Sequence, residues 1–155
     1  MHHTLYPRHK RARITASRMA GLDHAVRTIV GGRGDVYRRE PCPGCPWRLD
    51  TVGTFPPEAF AHSASVAYDA ALNTFACHDS GAKTPATCAG FLLRNSYNNM
   101  AVRIKLASGA IDLDEVKDGG HELHPSYRAM AVANGLPVDH PSLQSCRDDD
   151  DGRTL

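Results

Sequence analysis

Four cysteines are the residues of this chain whose type and spacing most clearly indicate chemistry. Cys42 and Cys45 form a Cys-x-x-Cys pair, and Cys77 and Cys88 follow downstream. Such a pair lets two thiolates bind one metal from a single tight turn, to which Gly44 is expected to give backbone freedom. The sequence therefore predicts one shared metal site with these four ligands. The alternatives are buried cysteines acting as small apolar side chains, or a redox-active Cys-x-x-Cys pair.

The spacing leaves the metal open between a [4Fe–4S] cluster and zinc. Zinc ribbons commonly carry two short pairs, whereas ten residues separate Cys77 from Cys88. Proline follows each cysteine of the first pair, a context also met in ferredoxin-type cluster loops. These features favour the cluster. Trp47 is expected to shield it from water, and His78 is expected to donate a hydrogen bond to a cysteine sulfur.

Other polar residues are not predicted to carry chemistry. Cys146 lies near the polar C-terminus and is interpreted as a thiol outside the metal site. His121 and His124 lack the four-residue spacing of a zinc-protease helix. No nucleophile–base order, paired carboxylates or nucleotide loop can be identified, so an enzyme is the less favoured interpretation.

Charge is unevenly distributed along this chain of 155 residues and net charge +1. Residues 1–40 hold nine Lys or Arg against three Asp or Glu, whereas residues 41–146 hold seven against ten. A basic arm on a slightly acidic body predicts contact with nucleic acid or an acidic protein surface, and a solubilising leader is the alternative. The residues expected to make that contact are Arg8, Lys10, Arg11, Arg13 and Arg18.

The elements that position the cysteines are expected to be helices joined by loops. The predicted fold class is mainly α, a small loop-rich helical domain organised around the four-cysteine metal centre, with little or no sheet. This domain is expected over residues 14–146, between a disordered basic arm (1–13) and a disordered acidic tail (147–155). Apolar spacings of three and four, together with Pro, Gly and Asn signals, predict helices over about residues 16–30, 57–72, 87–106 and 125–134.

The sequence also bears on location. No apolar run approaches the roughly 18 residues of a membrane helix, and the basic N-terminus has no apolar signal-peptide core behind it. We therefore expect a cytoplasmic protein of a bacterial host cell with no membrane partner. The oligomeric state is not indicated.

At its cysteines the sequence resembles a family of small proteins from actinobacteria and their phages. The hallmark of that family is a Pro-Cys-x-x-Cys-Pro-Trp/Tyr-Arg string, then a Cys-His step, then Cys-Ala-Gly followed by an aromatic residue. Residues 41–48, 75–78 and 88–91 match these three steps. The resemblance implies that the four cysteines are the defining residues of the family, and it implies no particular activity.

The first cysteine pair is also similar to the centre of the WhiB-like iron–sulfur transcription regulators, which bind a sigma factor. Those proteins place one cysteine upstream of the pair and another soon after it, whereas Cys77 and Cys88 both lie well downstream. The likeness is local and supports the cluster more than the regulatory role.

Together these features predict a non-enzymatic metal-binding regulator that contacts the transcription machinery or nucleic acid through its basic N-terminal region. The alternatives are an enzyme that uses the cluster for redox chemistry or nucleic-acid processing, and an interaction module held together by structural zinc.

Overall fold

The computed structural model describes residues 11–22, 24–30 and 36–147. The predicted contact residues Arg8 and Lys10, and the acidic run after Arg147, lie outside these described residues. No helix in the described ranges is long and apolar enough to cross a membrane.

The first described element is a β-hairpin rather than a helix. Strand β1 (Arg13–Ala20) pairs antiparallel with β2 (His24–Val30), and Ala20 lies opposite His24 across a short turn. Gly21 begins this turn with φ at +72°, a conformation that glycine adopts without a steric penalty. The predicted helix over residues 16–30 is therefore wrong.

The physical reason is visible in the exposure of the supposed apolar stripe. Leu22 is 95% exposed and Met19 is 61% exposed, so the three-and-four spacing of these residues does not mark a buried helical face. The segment is instead rich in β-branched residues, which suit a pleated strand better than a helix. These residues include Ile14, Thr15, Val26, Thr28 and Ile29.

The predicted fold class is wrong. The described part of the chain holds four short α-helices, several 3-10 turns and this two-stranded sheet. It contains no group of three or more His, Cys, Asp or Glu side chains close enough to hold a metal ion. The fold is thus mainly α only loosely, and the described residues do not form a domain arranged around an assembled metal group.

The helices are shorter than the sequence indicates. The predicted helix from residue 57 to about 72 is α1 (Pro57–Ser63) followed by a 3-10 turn (Ala64–Ala67). The predicted helix over 87–106 is two helices, α2 (Ala89–Asn95) and α3 (Met100–Ala107). The last helix, α4 (Tyr127–Ala133), lies within the predicted range.

Asn99 explains the break between α2 and α3. Its side-chain oxygen accepts a hydrogen bond of 3.0 Å from the N–H of Val102, which caps the start of α3. Its amide group donates to the carbonyls of Val66 (3.2 Å) and Asn73 (2.7 Å), and the residue is fully buried. Asn99 is thus a buried polar link between α3 and the segment before it.

The core of the body, by which we mean residues 36–147, is centred on Trp47. The Trp47 side chain is fully buried and contacts the rings of Phe75, Phe91 and Tyr127, with centroids 6.0–6.4 Å away. The Tyr127 hydroxyl donates to the Phe60 carbonyl at 2.7 Å. This aromatic cluster fixes α1, α2 and α4 against the loop that carries the first cysteine pair.

Candidate metal centre

The first cysteine pair lies in a hydrogen-bonded turn. The N–H of Cys45 donates to the carbonyl of Cys42 at 3.0 Å, and the N–H of Arg48 donates to the carbonyl of Cys45 at 3.1 Å. Thr51 fixes the same carbonyl through its hydroxyl at 2.7 Å. Gly44 does not adopt a positive φ, so the expected backbone freedom of glycine is not used here.

The second two cysteines are held by paired extended segments. The N–H of Cys77 donates to the carbonyl of Ala86 at 2.6 Å, and the N–H of Cys88 donates to that of Phe75 at 2.9 Å. An antiparallel bridge joins the residues between them. Cys77 and Cys88, eleven positions apart in sequence, are thereby fixed on neighbouring stretches of backbone.

The four thiols approach one another as two pairs. The sulfurs of Cys45 and Cys88 lie 3.6 Å apart and are buried. Burial raises the pKa of Cys42, the neighbouring Cys77 raises it further, and Cys45 adds to the effect, so Cys42 lies close to Cys77. None of the four forms a disulfide. The predicted ligands are therefore neighbours across three chain segments, arranged pair by pair.

Backbone N–H groups act on two of the thiols at the same offsets. After the hydrogen bond with Cys88, the N–H groups of Trp47 and Arg48, two and three residues further on, act to lower the pKa of Cys45. Those of Phe91 and Gly90 act in the same sense on Cys88, against its hydrogen bond with Cys45 and its burial. Such donors stabilise negative charge on sulfur, which is the form that binds a metal.

The thiols differ in acidity. The hydrogen bond with Cys88 lowers the pKa of Cys45, and the two backbone donors and the nearby Arg48 charge lower it further. The same hydrogen bond and complete burial raise the pKa of Cys88 well above its usual range. Burial, with the neighbouring Cys77, raises the pKa of Cys42 to about 11. Cys88 lies at the N-cap position of α2 and makes no side-chain capping hydrogen bond.

Trp47 is positioned by close packing against α2. A Cβ atom added at Gly90 would lie 2.5 Å from the Cβ of Trp47, so only glycine fits at that point of the helix. This contact fixes the turn after Cys45 against the helix that begins after Cys88. Trp47 thus joins the turn that carries Cys45 to the helix that begins after Cys88. Its role in shielding a cluster from water stays a prediction.

His78 lies on the outer side of the first cysteine turn. Its ring packs edge-on against Phe55 at 5.1 Å between centroids, and it is the nearest neighbour of Gly44, at 3.7 Å from a Cβ placed there. The hydrogen bond from His78 to a cysteine sulfur stays a prediction.

Arg48 is a neighbour of the site that the sequence did not indicate. It lies three residues after Cys45, forms an ion pair with Asp50, and approaches the Cys42 carbonyl at 3.5 Å. Its positive charge acts on the thiolates of Cys42 and Cys45. A cation so close to a cysteine pair in sequence is the signal that could have identified it.

Cys146 is separate from these four residues. It is buried, and its sulfur contacts the carbonyls of Ala64 at 3.6 Å and Ser142 at 3.8 Å. Its backbone forms a bridge with Tyr68. It therefore provides a natural comparison for the four candidate ligands.

The basic residues of the described N-terminal region lie on the hairpin. Arg11 precedes β1, Arg13 and Arg18 lie on β1, and Arg27 lies on β2; all four are exposed. Arg27 was not among the predicted contact residues. The pairing of the strands places it opposite Ser17, so Arg27 and Arg18 lie on opposite faces of the hairpin.

Comparison with known families identifies the family that the body of the chain matches. The model of DUF6283, a family of unknown function, matches residues 37–147, well over half of the sequence. The chain belongs to the DUF6283 family. This match covers all five cysteines and ends short of the hairpin. No curated protein and no solved structure is significantly similar to the chain.

Proposed function

We propose that this protein is a non-enzymatic metal-binding protein whose ligands are Cys42, Cys45, Cys77 and Cys88. A [4Fe–4S] cluster is favoured and zinc is the alternative. The observation that carries the proposal is that separate chain segments bring these thiols together, with the sulfurs of Cys45 and Cys88 buried and 3.6 Å apart. Thiols from distant segments that meet in this way can serve one metal as a shared ligand set.

The surroundings of the thiols support the same proposal. Four thiolates carry a large negative charge, which the Arg48 guanidinium and the backbone donors partly offset. We expect the buried aromatic cluster around Trp47 to keep water from the site. When bound, a metal would join the three cysteine-bearing segments and add a redox-capable or purely structural link.

We further propose that the hairpin contacts the transcription machinery or nucleic acid. Its exposed arginines supply positive charge on an element that packs against α1 of a slightly acidic body, and such charge attracts a polyanion over long range. The protein would then act as a regulator, with the metal in the body and the partner contact on the hairpin.

A second candidate function is redox activity of the thiols themselves. The 3.6 Å between the sulfurs of Cys45 and Cys88 is a short distance from the roughly 2.05 Å of a disulfide bond. Exchange with a disulfide of a partner molecule would join the two sulfurs, and the partner disulfide would take up the two electrons and two protons as two thiols. A protein isolated without metal, with these two cysteines joined by a disulfide, would favour this function.

Anaerobic purification with metal analysis tests the metal. The wild type is expected to contain stoichiometric metal, with brown colour and absorption near ~400 nm for an iron–sulfur cluster or no colour for zinc. Cys88→Ala should lose the metal, whereas Cys146→Ala, an identical change at another buried cysteine, should retain it. Equal metal content in the two variants, or none in the wild type, would refute the proposal.

Salt-dependent DNA binding tests the role of the hairpin. Replacement of Arg13, Arg18 and Arg27 by Gln should weaken binding to duplex DNA and reduce the slope of log K against log salt by about 3. The control replaces three exposed cations of the body, which are Lys83, Arg103 and Lys117. If both triple variants bind alike, the hairpin is not the contact surface.

A further inference from the structure

The hairpin presents its first strand, β1, to the solvent. All residues of β1 except Ala16 and Ala20 are exposed, whereas His24, Ala25 and Val26 of β2 are partly buried. In the described part of the chain, β1 is hydrogen-bonded along one edge, to β2. The other edge, which we call the free edge of β1, offers its backbone N–H and C=O groups to a partner.

A β-bulge in β1 brings two arginines to the same face of the hairpin. Arg13 lies opposite Val30 and Arg18 lies opposite Val26, and the register shifts between these two pairs. Opposite residues share a face, and so do positions four apart on β2, so both arginines project from one face, about 13 Å apart along the strand. Bulges and charges on an edge oppose pairing with a further strand, so another sheet is not the partner that this edge fits.

Arg27 supplies positive charge to the opposite face. It lies opposite Ser17, the neighbour of Arg18, and it is exposed. Residues 11–30 hold four arginines, no lysine and one acid. Arginine presents a planar fork of donors that matches phosphate oxygens and the O6 and N7 atoms of guanine. A flat partner meets one face of a strand, whereas a groove with two anionic walls meets both faces.

We propose that the hairpin makes its proposed nucleic-acid contact, on which this inference rests, by inserting the free edge of β1 into the major groove of duplex DNA. Sheets stack about 10 Å apart, so a strand with side chains on both faces fits the major groove, about 12 Å wide, and exceeds the minor groove of about 6 Å. Arg13 and Arg18, on the leading strand, reach guanine edges about four base pairs apart. Arg27, on the strand behind, contacts phosphates at the rim of the groove. Ala16 and Ser17 are small and let the backbone approach the bases.

Base analogues in duplex DNA test which groove the full-length protein reads. Random-sequence duplexes are prepared with guanine, with 7-deazaguanine, which lacks the N7 acceptor of the major groove, or with hypoxanthine, which lacks the amino group of the minor groove. The wild type should bind the 7-deazaguanine pool at least about fivefold more weakly than the guanine pool, because the arginine fork loses an acceptor. It should bind the hypoxanthine pool with nearly unchanged affinity.

Replacement of arginine by lysine provides the matched variants, since it keeps the charge and removes the fork. The protein with Arg13→Lys and Arg18→Lys should bind the guanine and 7-deazaguanine pools alike to within about twofold, with the salt dependence of the wild type. The control carries Arg27→Lys and Arg103→Lys, one at the proposed phosphate contact and one exposed on α3 of the body. It should retain the difference between the pools that the wild type shows.

The outcomes separate this inference from the proposed function. Equal wild-type affinity for the guanine and 7-deazaguanine pools, or a loss confined to the hypoxanthine pool, would overturn insertion into the major groove and leave the hairpin as a DNA contact. Identical behaviour of the two double variants would also overturn it. A wild type that binds none of the three pools would refute the DNA contact of the hairpin itself.

Discussion

The hairpin and the body of this protein differ in how far their side chains are buried. The body buries Trp47, Phe91 and Tyr127 completely and holds the candidate ligands on hydrogen-bonded segments. The hairpin buries Ala20 but leaves Met19 and most of its other side chains at least partly exposed. The DUF6283 match begins at residue 37, after the hairpin.

This contrast indicates that the two regions contribute to different properties of the protein. Stability and the cysteine site depend on the close packing of the body, whereas the hairpin adds positive charge. Changes in the body should therefore alter folding and metal content, and changes on the hairpin should alter binding alone.

The largest expected difference follows from truncation of an apolar side chain in each region. Phe91→Ala should lower the free energy of unfolding by about 3–5 kcal/mol, because it leaves a cavity in the aromatic cluster. Met19→Ala on the hairpin should change it by less than about 0.5 kcal/mol. Urea denaturation of the metal-free, reduced protein measures both, and similar losses would break the distinction between the regions.

A smaller effect is expected from the two glycines of the candidate site. Gly90→Ala should lower the free energy of unfolding by about 3 kcal/mol, because the added Cβ would collide with Trp47. Gly44→Ala should stay within about 1 kcal/mol, since its Cβ meets only His78 at ordinary contact distance and its φ is not positive. Denaturation curves of both variants measure the change in the free energy of unfolding. A Gly90→Ala protein as stable as the wild type would contradict the packing of Trp47 on α2.

The smallest effect concerns the cap of α4. The Ser126 hydroxyl accepts a hydrogen bond from the N–H of Ala129 at 3.1 Å. Ser126→Ala removes this bond and should lower the free energy of unfolding by about 1 kcal/mol. Ser17→Ala on the exposed β1 should be close to neutral. A neutral Ser126→Ala would show that the end of α4 is less fixed than the body around it.

The sequence predicted the elements of the body better than the hairpin, for a physical reason. Pro57 and the segment after Cys88 mark helix starts by local chemistry, and both helices begin there. The apolar spacing of residues 16–30 fits a helix and a strand alike, and only packing on the body decides between them. Asn99 shows the same limit, because its buried partners at Val66 and Asn73 are distant in sequence.

The candidate site was predictable in its composition but not in its arrangement. Cysteine is chemically distinctive, so the four residues stand out in the sequence. The pairing of Cys45 with Cys88 and of Cys42 with Cys77 depends on how residues 75–77 and 86–88 align, which spacing does not encode.

X-ray absorption spectroscopy at the edge of the bound metal tests the central claim most directly. We predict that the protein ligands of the metal are sulfur only, at about 2.3 Å if the metal is zinc. The same spectrum should be obtained from Cys146→Ala, and no bound metal from Cys45→Ala. Nitrogen or oxygen ligands from the protein, or an unchanged sulfur shell in Cys45→Ala, would contradict a single centre bound by these four cysteines.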